Sequence, residues 1–128
     1  MLNLDTHVLI HALCGNLRYE ERTLLIDHRW GVAAIVLWEM AKLAQIGRIS
    51  LDLAHPLVET ILASIHIWPL DLEVARVSTQ LDFRADPADE LIAATSIVHG
   101  VPLLTGTSVF VSRRWSRLPR EARLRHAR

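Results

Sequence analysis

The stretch Asp86-Pro87-Ala88-Asp89-Glu90-Leu91-Ile92-Ala93-Ala94 decides the fold of this chain, because it begins a helix that must be buried. Asp86 suits the N-cap, and Pro87 suits the first helical position, where a missing N–H costs nothing. The residues that follow, through Val98, are almost all apolar, as in a helix enclosed by a core. Asp89 falls in the first turn, near the positive end of the helix dipole. A carboxylate at the mouth of a buried helix needs a cation or hydrogen-bond donors around it.

The composition predicts one domain with a single core, spanning residues 1–128. A hydrophobic content of 51% favours elements buried on both faces, or an apolar surface that a partner covers. Because Cys14 is the only cysteine, no internal disulfide can form, and a reducing compartment is expected. With no secretory signal in view, the sequence predicts a cytoplasmic protein.

A long uncharged stretch raises the question of a membrane span. Residues 91–112 contain no Asp, Glu, Lys or Arg. Gly100, Pro102 and Gly106 interrupt the stretch, which therefore predicts a helix followed by a strand and no association with a membrane.

Charge is distributed unevenly along the chain. Residues 113–128 form an arginine-rich tail with seven arginines and one glutamate, whereas the other 112 residues hold seven basic and thirteen acidic groups. Such a tail can contact phosphate or an acidic partner, or it can be a solvated terminus, and composition alone leaves both interpretations open.

Strand and helix patterns alternate along most of the chain. The apolar periods predict strands at 2–4, 31–34, 67–70 and 101–104, and helices at 7–13, 19–28, 35–46, 56–65, 71–81 and 87–99. Residues 109–111 are apolar without a clear period. The alternation predicts an α/β fold, with a small central parallel sheet flanked by helices on both faces.

Two further acids stand at informative positions. Asp5 directly follows the first strand and precedes a helix, which is where open α/β sheets place their ligands. A simpler interpretation is that Asp5 only caps that helix. Glu39 lies in an apolar helix between Trp38 and Met40, and its simpler interpretation is a helical pair with Lys42. If the acids gather at one edge of the sheet, their repulsion requires protons or a divalent cation, and oxygen ligands favour Mg²⁺ or Mn²⁺.

Five segments together resemble the PIN-domain family, and most of all its VapC-like ribonuclease toxins. They occur in the family's order and spacing over residues 2–112, and they are Leu4-Asp5-Thr6-His7-Val8-Leu9-Ile10, Leu37-Trp38-Glu39-Met40-Ala41, Gly47-Arg48-Ile49, Asp86 to Ala94, and Pro102-Leu103-Leu104-Thr105. The resemblance implies a PIN-like fold and a ribonuclease that depends on Mg²⁺ or Mn²⁺. It also implies a homodimer, an RNA substrate and a VapB-like antitoxin that inhibits the toxin.

The resemblance also assigns roles to single residues. Asp5, Glu39 and Asp89 match the catalytic acids, with Asp5 and Asp89 as the expected metal ligands and Glu39 orienting the attacking water or a second ion. Asp86 matches a less constant neighbour and is expected to cap the helix. Two hydroxyl positions are expected to support the site, and they are Thr6 and Thr105.

One position departs from the family pattern. The family usually continues Leu-Leu-Thr-x-Asp, whereas this chain has Thr107 in place of the last acid. Three carboxylates can still hold one hydrated Mg²⁺. The alternative to an active toxin is therefore a catalytically weakened PIN domain that binds antitoxin or RNA. A phosphatase with Asp5 as nucleophile is disfavoured, because His7 stands where such an enzyme needs a second acid.

The arginine-rich tail acquires a specific expectation from the resemblance. If the protein acts on RNA, the first arginines of the tail are candidates to contact the phosphate backbone, and they are Arg113, Arg114 and Arg117.

Overall fold

The computed structural model describes residues 1–17, 19–106 and 108–110, except for the side chains of residues 20, 21, 24 and 108–110. The strands are β1 (Leu2–Leu4), β2 (Trp30–Ala33), β3 (His66–Trp68), β4 (Leu103–Thr105) and β5 (Ser108–Phe110). The helices are α1 (Thr6–Cys14), α2 (Tyr19–Asp27), α3 (Ala34–Gln45), α4 (Pro56–Ser64), α5 (Leu72–Ser78) and α6 (Pro87–His99).

The strands form one sheet in the order β3-β2-β1-β4-β5. The first four strands are parallel, and β5 pairs antiparallel with β4. The α/β fold with a small central parallel sheet is thereby confirmed. The strand β5 was not predicted, because its apolar residues show no clear alternation.

The order of the strands defines a switch point between β1 and β4. The chain moves outward from β1 to β2 and β3, and then crosses back to β4 on the other side of β1. Because parallel crossovers are right-handed, connections that run in opposite directions place their helices on opposite faces of the sheet. Ligands of open α/β sheets bind at the carboxyl ends of the strands beside such a point. The residues that follow β1 and β4 therefore occupy the position where a site is expected.

The core lies along the central strands, where β1 is buried over its whole length. Residues buried to 2% exposure or less come from β1, α1, β2, α3, α5, α6 and β4, and they include Leu4, Val8, Leu9, Val32, Val36, Met40, Val74, Ile92 and Leu104. Within the described part of the chain, no helix is long and apolar enough to cross a membrane.

The predicted ends of the helices agree with the structure in most cases. Gly15, at φ 74°, ends α1 in the left-handed conformation that glycine adopts without strain. Asp71 caps α5 by accepting a hydrogen bond from the Val74 amide at 3.0 Å. The prediction of a helix through residue 81 was wrong, because α5 ends at Ser78.

Candidate functional site

Asp5 stands where β1 ends and α1 begins. Its backbone N–H donates to the carbonyl of Leu104 at 3.0 Å, which fixes Asp5 beside the end of β4. Asp5 occupies the N-cap position, where the backbone amides of Thr6 and His7 lie close enough to its carboxylate to lower its pKa, although no cap hydrogen bond of full geometry forms within the described residues. These capping contacts do not offset the burial of the carboxylate.

The surroundings of Asp5 disfavour its charged form. Burial raises the pKa of the Asp5 carboxyl above its ordinary value of 3.8, and the nearby Glu39 carboxylate raises it further. His7 and the backbone amides of Thr6 and His7 act in the opposite direction and do not cancel the effect of burial. A cation beside Asp5 would favour its ionised form.

Glu39 is held next to Asp5 by a hydrogen bond from a buried hydroxyl. Thr6 Oγ1 donates to Glu39 Oε1 at 2.5 Å, and Thr6 is only 3% exposed. The simpler interpretation was a helical pair between Glu39 and Lys42. In the structure, Lys42 Nζ instead donates a hydrogen bond to the side chain of Gln45 at 3.1 Å. The structure thus brings Asp5, Thr6 and Glu39 together at the end of β1.

Asp89 lies in the first turn of α6, as the sequence predicted, and its side chain is half-buried. Asp86 occupies the N-cap of the same helix, and Pro87 follows it at the first helical position. In the part of the chain that the structure describes, the Asp86 side chain makes no cap hydrogen bond. The expected position of Asp86 is confirmed, whereas the expected capping contact is not present.

A buried asparagine that the sequence did not point to joins α6 to β1. Asn3 Nδ2 donates to the Ile92 carbonyl at 3.1 Å and to Ser96 Oγ at 2.8 Å. Asn3 is fully buried, and so is Ser96. The one signal in the sequence was a polar residue in the middle of a short apolar strand.

The Asn3 contact relates the positions of two of the acids. Asp5 lies two residues beyond Asn3, and in an extended chain such residues face the same side. Asp89 lies three residues before Ile92, about one turn along the same face of α6. Since α6 leads into β4, which is parallel to β1, α6 runs opposite to β1. Asp5 and Asp89 therefore lie toward the same end of the β1–α6 pair.

The acids do not form a closed ligand set. Among the described residues, no group of three or more His, Cys, Asp or Glu side chains is arranged so that it could hold a metal ion. Thr105 is buried at the end of β4, where it follows the Leu104 carbonyl that binds Asp5. The other predicted site residues lie outside the described residues, and they are Thr107, Arg113, Arg114 and Arg117.

The chemistry of the donors nevertheless suits a hard divalent cation. Asp5 and Glu39 offer carboxylate oxygens only, as Mg²⁺ and Mn²⁺ prefer. The raised pKa of Asp5 reports burial and a neighbouring negative charge, both of which a cation offsets. The donor chemistry of Asp5 and Glu39 therefore suits such an ion, although the described acids are not arranged as a complete ligand set.

The fold and its acidic edge define an α/β protein with carboxylates at the switch point of a parallel sheet. The chain belongs to the PIN domain family, whose model matches residues 3–112. PIN domains are generally nucleases, and they typically use divalent metals. No curated protein sequence matches the chain.

Several solved structures share the fold. A toxin–antitoxin complex from Klebsiella pneumoniae has 21% identity and a TM-score of 0.64, covering 82% of this chain and 85% of that chain. FitAB bound to an IR36 DNA fragment has 23% identity and a TM-score of 0.65, covering 82% and 84%. FitAcB from Neisseria gonorrhoeae has 20% identity and a TM-score of 0.61, covering 92% and 94%.

Proposed function

We propose that this chain is a VapC-like endoribonuclease toxin that hydrolyses RNA phosphodiester bonds with Mg²⁺ or Mn²⁺. The observation that carries the proposal is the half-buried Asp5 carboxylate beside Glu39. Burial raises its pKa even though the backbone amides of Thr6 and His7 act to lower it. An aspartate that only capped α1 would have no need of a second carboxylate nearby. The chain also belongs to a family whose members are generally nucleases, which supports a hydrolytic role for these acids.

Each residue of the site has a role in this proposal. Asp5 and Asp89 would hold the metal, directly or through water, and Glu39 would orient the attacking water or a second ion. Thr6 keeps Glu39 in place through its hydrogen bond. The chemistry that the metal supplies when bound is polarisation of the scissile phosphate and a lower pKa of the attacking water.

The proposal includes partners. Two of the similar structures are a toxin–antitoxin complex and FitAB on DNA, which supports a cognate VapB-like antitoxin for this chain. We further propose a homodimer in the cytoplasm, consisting of one PIN domain per chain followed by the arginine-rich tail. Large exposed apolar side chains are available for such contacts, among them Ile26, Trp38, Leu57 and Leu72.

Cleavage of RNA by the purified protein tests the proposal. We expect cutting in Mg²⁺ or Mn²⁺, loss of cutting in EDTA, and loss of cutting in Asp5→Asn. Asp27→Asn is the matched control, because Asp27 is an exposed aspartate at the end of α2. Equal cutting by the wild type and Asp5→Asn would contradict the proposal.

A second candidate function rests on Thr107. If the missing fourth acid disables hydrolysis, the same domain serves as a module that binds antitoxin or RNA. The two functions differ in one measurement, because a binding module retains affinity for RNA or antitoxin while the wild type shows no metal-dependent cutting.

A further inference from the structure

Asn3 is the only residue of β1 with a polar side chain, and both hydrogen bonds that its amide nitrogen donates go to α6. The residue is 0% exposed, and its amide nitrogen contacts Ile92 O at 3.1 Å and Ser96 Oγ at 2.8 Å. Asn3 also pairs with β4 through its N–H, which donates to the Pro102 carbonyl at 2.9 Å. One residue therefore connects the first strand, the fourth strand and the helix that carries Asp89.

The chemistry of the partners fixes which way the amide points. A backbone carbonyl can only accept a hydrogen bond, so the atom facing Ile92 O must be the amide nitrogen. Asn3 Oδ1 is then left buried, with no hydrogen-bond partner among the described residues. An unsatisfied buried acceptor carries an uncompensated desolvation penalty. An apolar side chain here would have no unsatisfied acceptor of its own, but it would remove both contacts with α6 and leave the buried Ser96 Oγ without this donor.

The helix α6 needs a directional contact. From Ile92 to Ser96 every residue of α6 is buried. Apolar packing is non-directional. It therefore only weakly fixes the rotation of a buried helix about its axis and its position along that axis. Two hydrogen bonds from the Asn3 side chain to positions one turn apart on α6 fix both the rotation and the axial position of the helix.

We infer that Asn3 is a positioning residue that sets the separation between Asp5 and Asp89. The inference rests on the proposed function for its purpose, since both aspartates are the proposed metal ligands. Asp5 follows Asn3 by two residues on the strand, about 7 Å away. Asp89 precedes Ile92 by three residues on the helix, about 4.5 Å along its axis. The contact between the Asn3 amide and Ile92 is the fixed point from which Asp5 is displaced along β1 and Asp89 is displaced along α6.

Two variants of graded severity test the inference. Asn3→Leu removes both hydrogen bonds and keeps the number of side-chain heavy atoms, although leucine is the larger residue, whereas Ser96→Ala removes one hydrogen bond and leaves the Ile92 contact. Val58→Ala is the control for a general loss of stability, because Val58 is a core residue of α4. The measurements are crystal structures, thermal unfolding, and titration with Mn²⁺ followed by electron paramagnetic resonance.

We expect the distance between the Asp5 and Asp89 carboxyl carbons to change in Asn3→Leu, and to change less in Ser96→Ala. Mn²⁺ affinity should fall about tenfold in Asn3→Leu, as for other residues that orient metal ligands. Val58→Ala should lower the melting temperature without lowering Mn²⁺ affinity. If Asn3→Leu does not fold, Ser96→Ala decides the question by the same distance and affinity.

The outcomes separate this inference from the proposed function. An unchanged distance between Asp5 and Asp89 in the folded variants overturns the role of Asn3, whatever the metal does. A loss of Mn²⁺ affinity in Val58→Ala equal to that in Asn3→Leu also overturns it, because the loss then follows stability. If the wild type binds no Mn²⁺, the proposed metal site is wrong, and the measured distance still decides the role of Asn3.

Discussion

The Thr6 hydroxyl donates to Glu39 Oε1 across 2.5 Å, and this hydrogen bond joins the start of α1 to α3. Thr6 is buried, and it directly follows Asp5. One side chain therefore determines how a second carboxylate stands beside Asp5. A carboxylate in this position is repelled by Asp5, so the hydroxyl supplies a contact that opposes the repulsion.

Replacing Thr6 tests that contact. Thr6→Val keeps the shape of the side chain and removes the donor, and we expect the free energy of unfolding to fall by about 1–3 kcal/mol. RNA cutting should fall as well, because Glu39 is no longer held. Thr6→Ser retains the hydroxyl and is the matched control. Urea unfolding and an RNA cleavage assay measure both effects, and equal behaviour of the two variants would show that the hydroxyl has no role.

The raised pKa of Asp5 predicts how stability depends on pH. Between pH 3.8 and the higher pKa in the folded state, folded Asp5 holds a proton that the unfolded chain has lost. Because the folded state binds more protons in that window, the contribution of Asp5 to stability falls as pH rises through it. Above that window, the ionised Asp5 therefore destabilises the fold.

The variant Asp5→Asn isolates this contribution. We expect Asp5→Asn to unfold at a higher temperature than the wild type at pH 7, and the difference to shrink as the pH approaches 3.8. Mg²⁺ should narrow the difference at pH 7, because it binds the folded wild type and not the variant. Thermal unfolding over a range of pH measures this, and a less stable Asp5→Asn at pH 7 would contradict the prediction.

Local patterns were sufficient to predict most of the fold. Asp5 was found because a strand, an acid and a helix follow one another directly. The helix α6 was found because Asp86 and Pro87 begin it and an apolar run continues it. The short strand β5 was missed because three residues give no measurable period, and its pairing with β4 decides its conformation.

The contacts that organise the candidate site depend on tertiary structure. Asn3 and Ser96 are 93 residues apart, and Thr6 and Glu39 are 33 residues apart. Neither pair has a signal in local sequence, since each forms only after the helices pack on the sheet. The sequence therefore predicted which acids to consider, but not how they are held.

The Trp68 ring lies so close to Gly31 that a larger residue at position 31 should destabilise the sheet. A Cβ at Gly31 would lie 2.5 Å from Cη2 and Cζ3 of the Trp68 ring, which is 5% exposed. The ring also stacks on His99, with centroids 5.7 Å apart, so it has little room to move. We expect Gly31→Ala to cost about 1–3 kcal/mol.

A double-mutant cycle checks the Gly31 prediction. Trp68→Leu removes the ring atoms that would clash, so Gly31→Ala should cost much less in that background. Urea unfolding of the four proteins gives the coupling free energy between the two positions. Additive costs would show that the ring is not the obstacle.

Replacing Thr107 by an acidic residue should increase ribonuclease activity. Thr107→Asp supplies the carboxylate that the family pattern has at this position, and we expect metal-dependent RNA cutting to increase about tenfold over the wild type. Thr107→Asn is the control, because it changes size and polarity without adding charge. Strong cutting by Thr107→Asp and none by the wild type would favour the binding module over the active toxin.

The arginine-rich tail predicts a change in the salt dependence of RNA binding. In an Asp5→Asn background that does not cut RNA, replacing Arg113, Arg114 and Arg117 by glutamine should weaken binding. If each contacts one phosphate, the slope of log affinity against log salt should become shallower by about 0.7 per arginine, or about 2 in total. The control replaces Arg22, Arg29 and Arg48, which are exposed and lie outside the tail. An unchanged affinity and slope in the tail variant would mean that its charge serves some other contact, whereas equal losses in both variants would mean that RNA responds only to net charge.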